Sequence, residues 1–152
     1  MDQAPILDVQ DLKTYFFTRT GVVKAVDGVS FSLMPGETLG IVGESGSGKS
    51  MTALSIMGLV PQPAGKVVDG KILFQGEDLT QKTNAEMQRI RGKEICMILQ
   101  DPMTSLNPVF TVGNQLIETI RTNTDESGSG LRAKAIQFLE KVKIASPELR
   151  VS

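Results

Sequence analysis

Alternating apolar and polar positions in the first half of the chain predict β-strands. Residues 29–33 and residues 72–74 each place apolar side chains at every second position, as the half-buried strands of a sheet do. Turn-forming dipeptides follow the first of these stretches and precede the second, at Pro35-Gly36 and Asp69-Gly70. We therefore expect a first half that is rich in strands.

Two short apolar runs, residues 38–42 and 95–99, have a different pattern, with few polar residues among the apolar ones. Such runs are typical of strands that are buried on both faces of a parallel sheet. Cys96, the single cysteine of the chain, lies in the second run, where we expect it to be a small buried hydrophobe without an internal disulfide. With only these two strands the core sheet would be incomplete, and its unpaired apolar edges predict marginal stability for the isolated chain.

Helical periodicity follows the glycine-rich stretch at residues 43–50 and returns in the second half of the chain. Three apolar stripes at helical spacing predict three amphipathic helices. These stripes are Ala53, Ile56, Met57 and Val60; Val112, Leu116, Ile117 and Ile120; and Leu131, Ala135, Phe138, Leu139 and Val142. Residues 123–130 are polar and rich in glycine, which predicts a flexible loop between the last two helices. After Lys143 the pattern predicts no further element.

Composition and charge restrict the class of protein. The 152 residues suit one domain, and 16 basic against 17 acidic side chains give a net charge of −1. A nucleic-acid-binding surface would need a basic stripe, so we expect no nucleic acid partner. The N-terminus lacks the features of a signal peptide, and no run reaches the about 20 apolar residues of a membrane span. We expect a cytosolic protein that contacts a membrane only through a partner.

The stretch GESGSGKS, residues 43–50, fits the phosphate-binding pattern G-x-x-x-x-G-K-[ST]. Its glycines permit positive φ and a close approach to a bulky anion, so that loop N–H groups and the dipole of the following helix face the phosphates. Lys49 can reach the β- and γ-phosphates, and the Ser50 hydroxyl can ligate Mg²⁺. The expected nucleotide contacts are Gly43, Glu44, Ser45, Gly46, Ser47, Gly48, Lys49, Ser50 and Met51. The alternative interpretation is a glycine-serine surface loop.

The residues after this loop narrow the class of phosphate-binding protein. A hairpin-like segment, GKILFQGEDL, follows the predicted helix, and the stretch MILQDPMTSLNP comes about fifty residues after Lys49. This arrangement resembles the ATP-binding subunit of an ABC transporter, and residues 100–113 are similar to its oligopeptide/dipeptide importer branch. The resemblance extends from Ile6 to about Pro147.

The resemblance implies an α/β P-loop NTPase fold of the ABC ATPase kind. That fold begins with an N-terminal antiparallel β segment, and here it would have an incomplete core sheet and the start of a helical subdomain. Residues 1–99 would form the nucleotide-binding core with its β segment. Residues 100–152 would form the Q-loop and a partial helical subdomain, which we expect to be truncated before the signature motif.

The resemblance also assigns roles to individual residues. Gln100 matches the catalytic Q-loop glutamine, which contacts Mg²⁺ and the attacking water; the alternative is a glutamine that caps the end of a strand. Phe16, with Tyr15 beside it, takes the place of the aromatic residue that stacks on adenine; the alternative is a core residue of an edge strand. Residues 107–110 lead into the helical subdomain that touches the coupling helices of the membrane subunits; the alternative is that Phe110 only packs under its own helices.

Other parts of the family's machinery do not occur in these 152 residues. The sequence has no histidine, no LSGGQ-like signature and no hydrophobic run that ends in Asp-Glu. The switch histidine, the signature, the second Asp motif and the catalytic glutamate are therefore missing from it. We expect residues 1–152 alone to bind Mg·ATP and to hydrolyse it only at background rate.

The resemblance implies the ATP-binding component of a transporter that couples ATP binding and hydrolysis to import of di- and oligopeptides across the cytoplasmic membrane. Its partners would be membrane-spanning permease subunits, a second identical or paralogous ATP-binding subunit and, indirectly, an extracytoplasmic peptide-binding protein. It would lie at the cytoplasmic face of the membrane. One alternative is a truncated, non-enzymatic nucleotide-binding module. Another is a small-molecule kinase, against which the hairpin and the stretch around Gln100 argue.

Overall fold

The computed structural model describes residues 4–100 and 105–151. The chain divides into two compact units, one up to Met97 and one from Ile98 onward. Within the described ranges, no helix has both the length and the apolar character that crossing a membrane requires.

A four-stranded antiparallel sheet forms the frame of the first unit. Its strands are β1 (Leu7–Thr18), β2 (Gly21–Leu33), β3 (Gly65–Phe74) and β4 (Glu77–Asp78), in the spatial order β2-β1-β3-β4. The two strands that alternation predicted, at residues 29–33 and 72–74, are confirmed as the ends of β2 and β3. Gln75 and Gly76 both have positive φ, 50° and 85°, as the two-residue turn of the β3–β4 hairpin requires.

The dipeptide Asp69-Gly70, which we predicted to be a turn before the strand, lies inside β3 instead. Gly70 has φ 90°, and a Cβ added there would lie 2.5 Å from the carbonyl oxygen of Asp11. Asp11 itself has φ 46° at an irregularity in β1, where the pairing register shifts. The prediction was wrong because a bulge that brings two backbones together needs the same glycine as a turn.

Helix α1 (Lys49–Ile56) packs on the sheet, and α2 (Asn84–Ile90) follows a short 3₁₀ turn at Leu79–Gln81. The predicted helix after the glycine-rich stretch is confirmed, but it ends at Ile56, so the buried Met57 and Val60 of the predicted stripe lie beyond it. Helix α1 buries the small polar residues Thr52 and Ser55 against the sheet. The buried apolar core of this unit is Val9, Leu12, Val26, Ile72, Phe74, Leu79, Met87 and Ile90.

The predicted central strands at residues 38–42 and 95–99 are wrong. Neither segment forms a strand; Ile95 makes only an isolated bridge with Arg91. Their side chains are open to solvent, Val42 at 92% and Ile98 at 97%, and Cys96 is exposed rather than buried. A strand buried on both faces needs a hydrogen-bonded neighbour at each edge, and the four described strands pair only with one another.

The second unit is helical. It contains α3 (Val112–Asn123), α4 (Gly130–Lys141) and α5 (Pro147–Arg150), which confirms the two predicted helices and the loop between them. Its core is Ile120, Leu131, Ala135, Leu139 and Val151.

Two expectations for this second unit were wrong. Phe138 and Val142 of the predicted apolar stripe are exposed, at 39% and 67%. The residues after Lys143, for which we predicted no element, form α5 and bring Val151 against Gly113, where an added Cβ would overlap the Val151 carbonyl oxygen. A one-turn helix gives too few apolar positions for its period to be recognised.

Candidate functional site

The glycines of the 43–50 loop serve two distinct geometric needs. Gly46 and Gly48 have φ 84° and 89°, in the left-handed region that L side chains rarely adopt. Gly43 needs space instead, because a Cβ there would lie 2.6 Å from Ser47 Oγ. A Cβ on Gly48 would overlap the carbonyl oxygen of Ala25 in β2. The loop therefore curves tightly against the sheet, and at its glycines no side chain covers the backbone.

The Lys49 ammonium lies over this curve. Its Nζ donates hydrogen bonds to the carbonyl oxygens of Gly43, at 2.8 Å, and Glu44, at 2.7 Å. A third bond goes to Ser47 Oγ at 3.1 Å. The positive charge is therefore held within reach of the loop backbone, and each of its three donors has an acceptor that a stronger anionic acceptor can replace.

The first turn of α1 is open to an anion. Gly48 is its N-cap residue, and because glycine has no side chain it makes no cap hydrogen bond to the first N–H groups of the helix. The first turn contains no acidic residue, so the positive end of the helix dipole is not neutralised there. Ser50 is exposed at the second helical position. N–H groups without a side-chain cap, a lysine and a hydroxyl thus meet at one helix start.

An open cleft of about 430 Å³ runs from this loop along the sheet. One side is apolar and the other is the loop with the start of α1. The lining residues are Val29, Phe31, Leu39, Gly40, Ile41, Val42, Gly43, Ser47, Lys49 and Thr52. Part of the apolar side consists of the 38–42 segment, which has no strand partner here.

Tyr15 and Phe16 are consecutive in β1 and lie on opposite faces of the sheet. The Tyr15 hydroxyl donates to Asp27 Oδ1, and Lys24 Nζ lies 5.3 Å from the ring centroid. The bond to Asp27 raises the pKa of Tyr15, and the same bond, with Lys24, lowers the pKa of Asp27. Phe16 is half-buried close to Gly65, where an added Cβ would lie 2.7 Å from the ring. One planar group therefore cannot stack on both rings.

Gln100 is exposed and belongs to the second unit, whereas the phosphate-binding loop belongs to the first. Asp101 and the three residues that follow it lie outside the described residues.

Sequence reasoning missed Gln115, whose side chain clamps the loop before α3. Its Oε1 accepts from the Asn107 backbone N–H at 2.8 Å, and its Nε2 donates to the Asn107 carbonyl at 3.0 Å and the Phe110 carbonyl at 3.1 Å. Val109 and Phe110 in that loop are exposed, at 82% and 58%. The sequence offers no signal for this clamp, since an amide in a helix stripe is ordinarily a solvated residue.

A family model described as "ABC transporter" matches residues 26–151. The chain is 50% identical over 147 residues to the oligopeptide transport ATP-binding protein OppD of Bacillus subtilis (strain 168). These matched residues cover 97% of this chain and 41% of that protein. It is 49% identical over 146 residues to the dipeptide transport ATP-binding protein DppD of the same organism, covering 96% of this chain and 44% of that protein. The chain thus spans less than half the length of these curated relatives.

Solved structures have the same fold. The dimeric structure of MJ0796, a bacterial ABC transporter cassette, superposes with a TM-score of 0.74 at 21% identity, over 88% of this chain and 56% of that one. A nucleotide-free ATP-binding cassette from an ABC transporter gives a TM-score of 0.63 at 25% identity, over 97% of this chain and 58% of that one. The predicted P-loop NTPase fold of the ABC ATPase kind is therefore confirmed.

Proposed function

Because the chain belongs to the ABC transporter family, we propose that it supplies a site at which a peptide importer binds Mg·ATP. The observation that carries this proposal is the contact set of Lys49, whose ammonium is held by two loop carbonyls and by Ser47 Oγ. An ammonium held over an open helix start is the arrangement that binds a polyphosphate by charge and by backbone N–H donors together.

The residues of the loop fit Mg·ATP. Tight glycine contacts at Gly43 and Gly48 leave the backbone, rather than side chains, to meet phosphate oxygens, and the N–H groups of residues 44–51 are the donors we assign to that task. Lys49 would exchange its carbonyl acceptors for phosphate oxygens, and Ser50 would offer its hydroxyl oxygen to Mg²⁺. The bound nucleotide supplies the phosphoryl group that reacts, while Mg²⁺ neutralises charge.

Two further roles belong to the same proposal. Gln100 would contact Mg²⁺ and hold the attacking water, since a neutral amide can accept from water and offer its carbonyl to a metal without adding charge. Adenine would stack on Phe16 or Tyr15, and their positions on opposite faces of β1 make these two alternatives exclusive.

We further propose that the partners are permease subunits, a second ATP-binding subunit and, indirectly, a peptide-binding protein, at the cytoplasmic face of the membrane. The names of the relatives as oligopeptide and dipeptide transport proteins support peptides as the cargo. The loop that Gln115 clamps supports contact with a permease, because it presents Val109 and Phe110 to solvent as a fixed apolar pair.

Titration with Mg·ATP tests the proposal. The chain should bind saturably, and Lys49→Ala should weaken binding by about ten- to a hundredfold, because a hydrogen bond to a charged group contributes about 1.5–3 kcal/mol. Lys93→Ala is the matched control, since Lys93 is an exposed lysine of the same unit. An unmodified chain that does not bind Mg·ATP would contradict the proposal.

Hydrolysis by residues 1–152 is a separate question with its own measurement. We propose background rates, since the sequence contains no histidine and no hydrophobic run ending in Asp-Glu. Phosphate release from Mg·ATP should be equal for the chain and for Lys49→Ala. A release rate that depends on Lys49 would show that these residues hydrolyse ATP by themselves.

A further inference from the structure

The end of α1 is built so that two carbonyl groups remain without helical partners. Gly58 has φ 61° and donates its N–H to Ser55, and Leu59 donates to Leu54, the paired bonds of a Schellman motif. This motif turns the chain away from the helix axis. The carbonyl oxygens of Met57 and Gly58 then point beyond the negative end of the helix dipole.

Arg91 donates hydrogen bonds to both of these carbonyl groups. Its Nε donates to the Met57 carbonyl at 2.7 Å and its Nη2 to the Gly58 carbonyl at 2.9 Å. The remaining Nη1 donates to Asn84 Oδ1 at 3.0 Å, in the first turn of α2. Arg91 is the C-cap residue of α2, so one planar guanidinium joins the ends of two helices.

Two other contacts fix α1 from the side of the sheet. Gly48 lies against the carbonyl of Ala25 in β2, and Ser55 Oγ is 2.7 Å from Thr14 Oγ1 in β1. Neither of these contacts reaches the Met57 and Gly58 carbonyl groups at the C-terminal end of the helix. The helix has 8 residues and is therefore about 12 Å long, so a displacement at its end is carried to Lys49 and Ser50 at its start.

We infer that Arg91 is a positioning residue for nucleotide binding: by holding the C-terminal end of α1, it sets where the first turn of that helix meets the phosphates. This inference rests on the proposed Mg·ATP site. It assigns a function to a residue 42 positions after Lys49 in the sequence, outside the phosphate-binding motif. The positive charge also faces the negative end of the α1 dipole, which favours an arginine there.

The contacts need a guanidinium rather than any cation. A lysine at position 91 would keep the charge but offers one ammonium group, which cannot make the parallel pair of bonds and also reach Asn84. Arg91→Lys should therefore restore part of what Arg91→Gln loses. Asn84→Ala removes one of the three partners and should act in the same direction with a smaller effect.

The test measures the Kd for Mg·ATP and the thermal unfolding midpoint of the chain and its variants, with Kd determined where circular dichroism shows every variant folded. Arg91→Gln should raise Kd by about two- to thirtyfold, the range of couplings carried by residues away from a ligand. Arg89→Gln is the charge-matched control, because Arg89 lies on the same helix and no described hydrogen bond joins it to α1. It should leave Kd unchanged.

Amide hydrogen exchange in the ligand-free chain is a second readout that needs no nucleotide. Arg91→Gln should speed exchange of the hydrogen-bonded α1 amides at residues 52–56, and Arg89→Gln should not. A lowered unfolding midpoint with unchanged Kd and unchanged α1 exchange overturns the inference, since the role of Arg91 would then be structural only. If Arg91→Gln does not fold, an unchanged Kd in both Arg91→Lys and Asn84→Ala overturns it. An unmodified chain that fails to bind contradicts the proposed function, and the exchange data then decide on Arg91.

Discussion

The antiparallel sheet and the two central apolar segments both contain large aliphatic side chains, which are buried in the sheet and exposed in the segments. In the sheet, Leu12 is fully buried and Ile72 is 1% exposed, whereas Val42 and Ile98 in the 38–42 and 95–99 segments are more than 90% exposed. The difference is in backbone pairing. Strands β1, β2 and β3 complete one another's hydrogen bonds, and neither central segment pairs with a described strand. Apolar content predicts where burial would be favourable, and strand neighbours decide whether it happens.

The phosphate-binding loop directly follows residues 38–42 in the chain and takes its position from the sheet. Gly48 contacts β2, and Ser55 in α1 contacts β1. The lysine contacts are made within the loop itself. The loop can therefore keep a binding conformation although the segment that leads into it, residues 38–42, forms no strand.

Truncation of a leucine should give the largest difference between the sheet and the 38–42 segment, measured as the loss in free energy of unfolding. Leu12→Ala should reduce the free energy of unfolding by about 2–5 kcal/mol, since it leaves a cavity in the sheet core. Leu39→Ala, the same change at a side chain that is 41% exposed, should cost less than about 0.5 kcal/mol. Urea unfolding measures both. Equal losses would show that the central segment is packed like the sheet.

Lysine substitutions should reduce self-association of the chain more in the exposed 38–42 and 95–99 segments than in a helix. Exposed apolar segments with unpaired backbone groups are templates for pairing with another chain, so Val42→Lys with Ile98→Lys should raise the concentration at which light scattering begins. Leu149→Lys, at an exposed leucine of helix α5, is the control and should change it less, because a helix pairs its own backbone groups. Equal shifts of that concentration in the two variants would show that unpaired backbone groups do not drive self-association.

The smallest effect concerns a helix start within the first unit. The side chain and the backbone N–H of Thr83 hydrogen-bond to Glu86 in a capping box and lower the pKa of that carboxylate. A lowered folded-state pKa stabilises the protein above the unfolded value of about 4.3, and this contribution is lost as pH falls through the folded value. Glu86→Gln should therefore reduce the dependence of the unfolding midpoint on pH below about 4.3. Glu94→Gln, at an exposed glutamate beyond α2, should preserve it.

What the sequence could predict depended on how local each feature is. The contacts of Lys49 span residues 43–49, so they stay within the loop that the motif spacing marked, although the sequence did not indicate which carbonyl groups the lysine contacts. Helices α3 and α4 follow from periodicity because each buries one face over three turns. The contacts of Arg91 with Met57 and Gly58 join residues more than thirty positions apart, and no local pattern marks them. Asp69-Gly70 was misassigned because turns and bulges share a composition.

Hydrogen exchange of the chain with and without Mg·ATP tests most directly whether the binding loop keeps its conformation without a strand at residues 38–42. We expect slow exchange in β1, β2 and β3, fast exchange at residues 38–42 and 95–99, and slower exchange at residues 43–51 once Mg·ATP is added. Lys49→Ala should abolish the change at 43–51. Protection of 38–42 equal to that of β1 in the free chain would show that this segment is paired like the sheet, and no response of 43–51 to Mg·ATP would show that the loop does not bind the nucleotide.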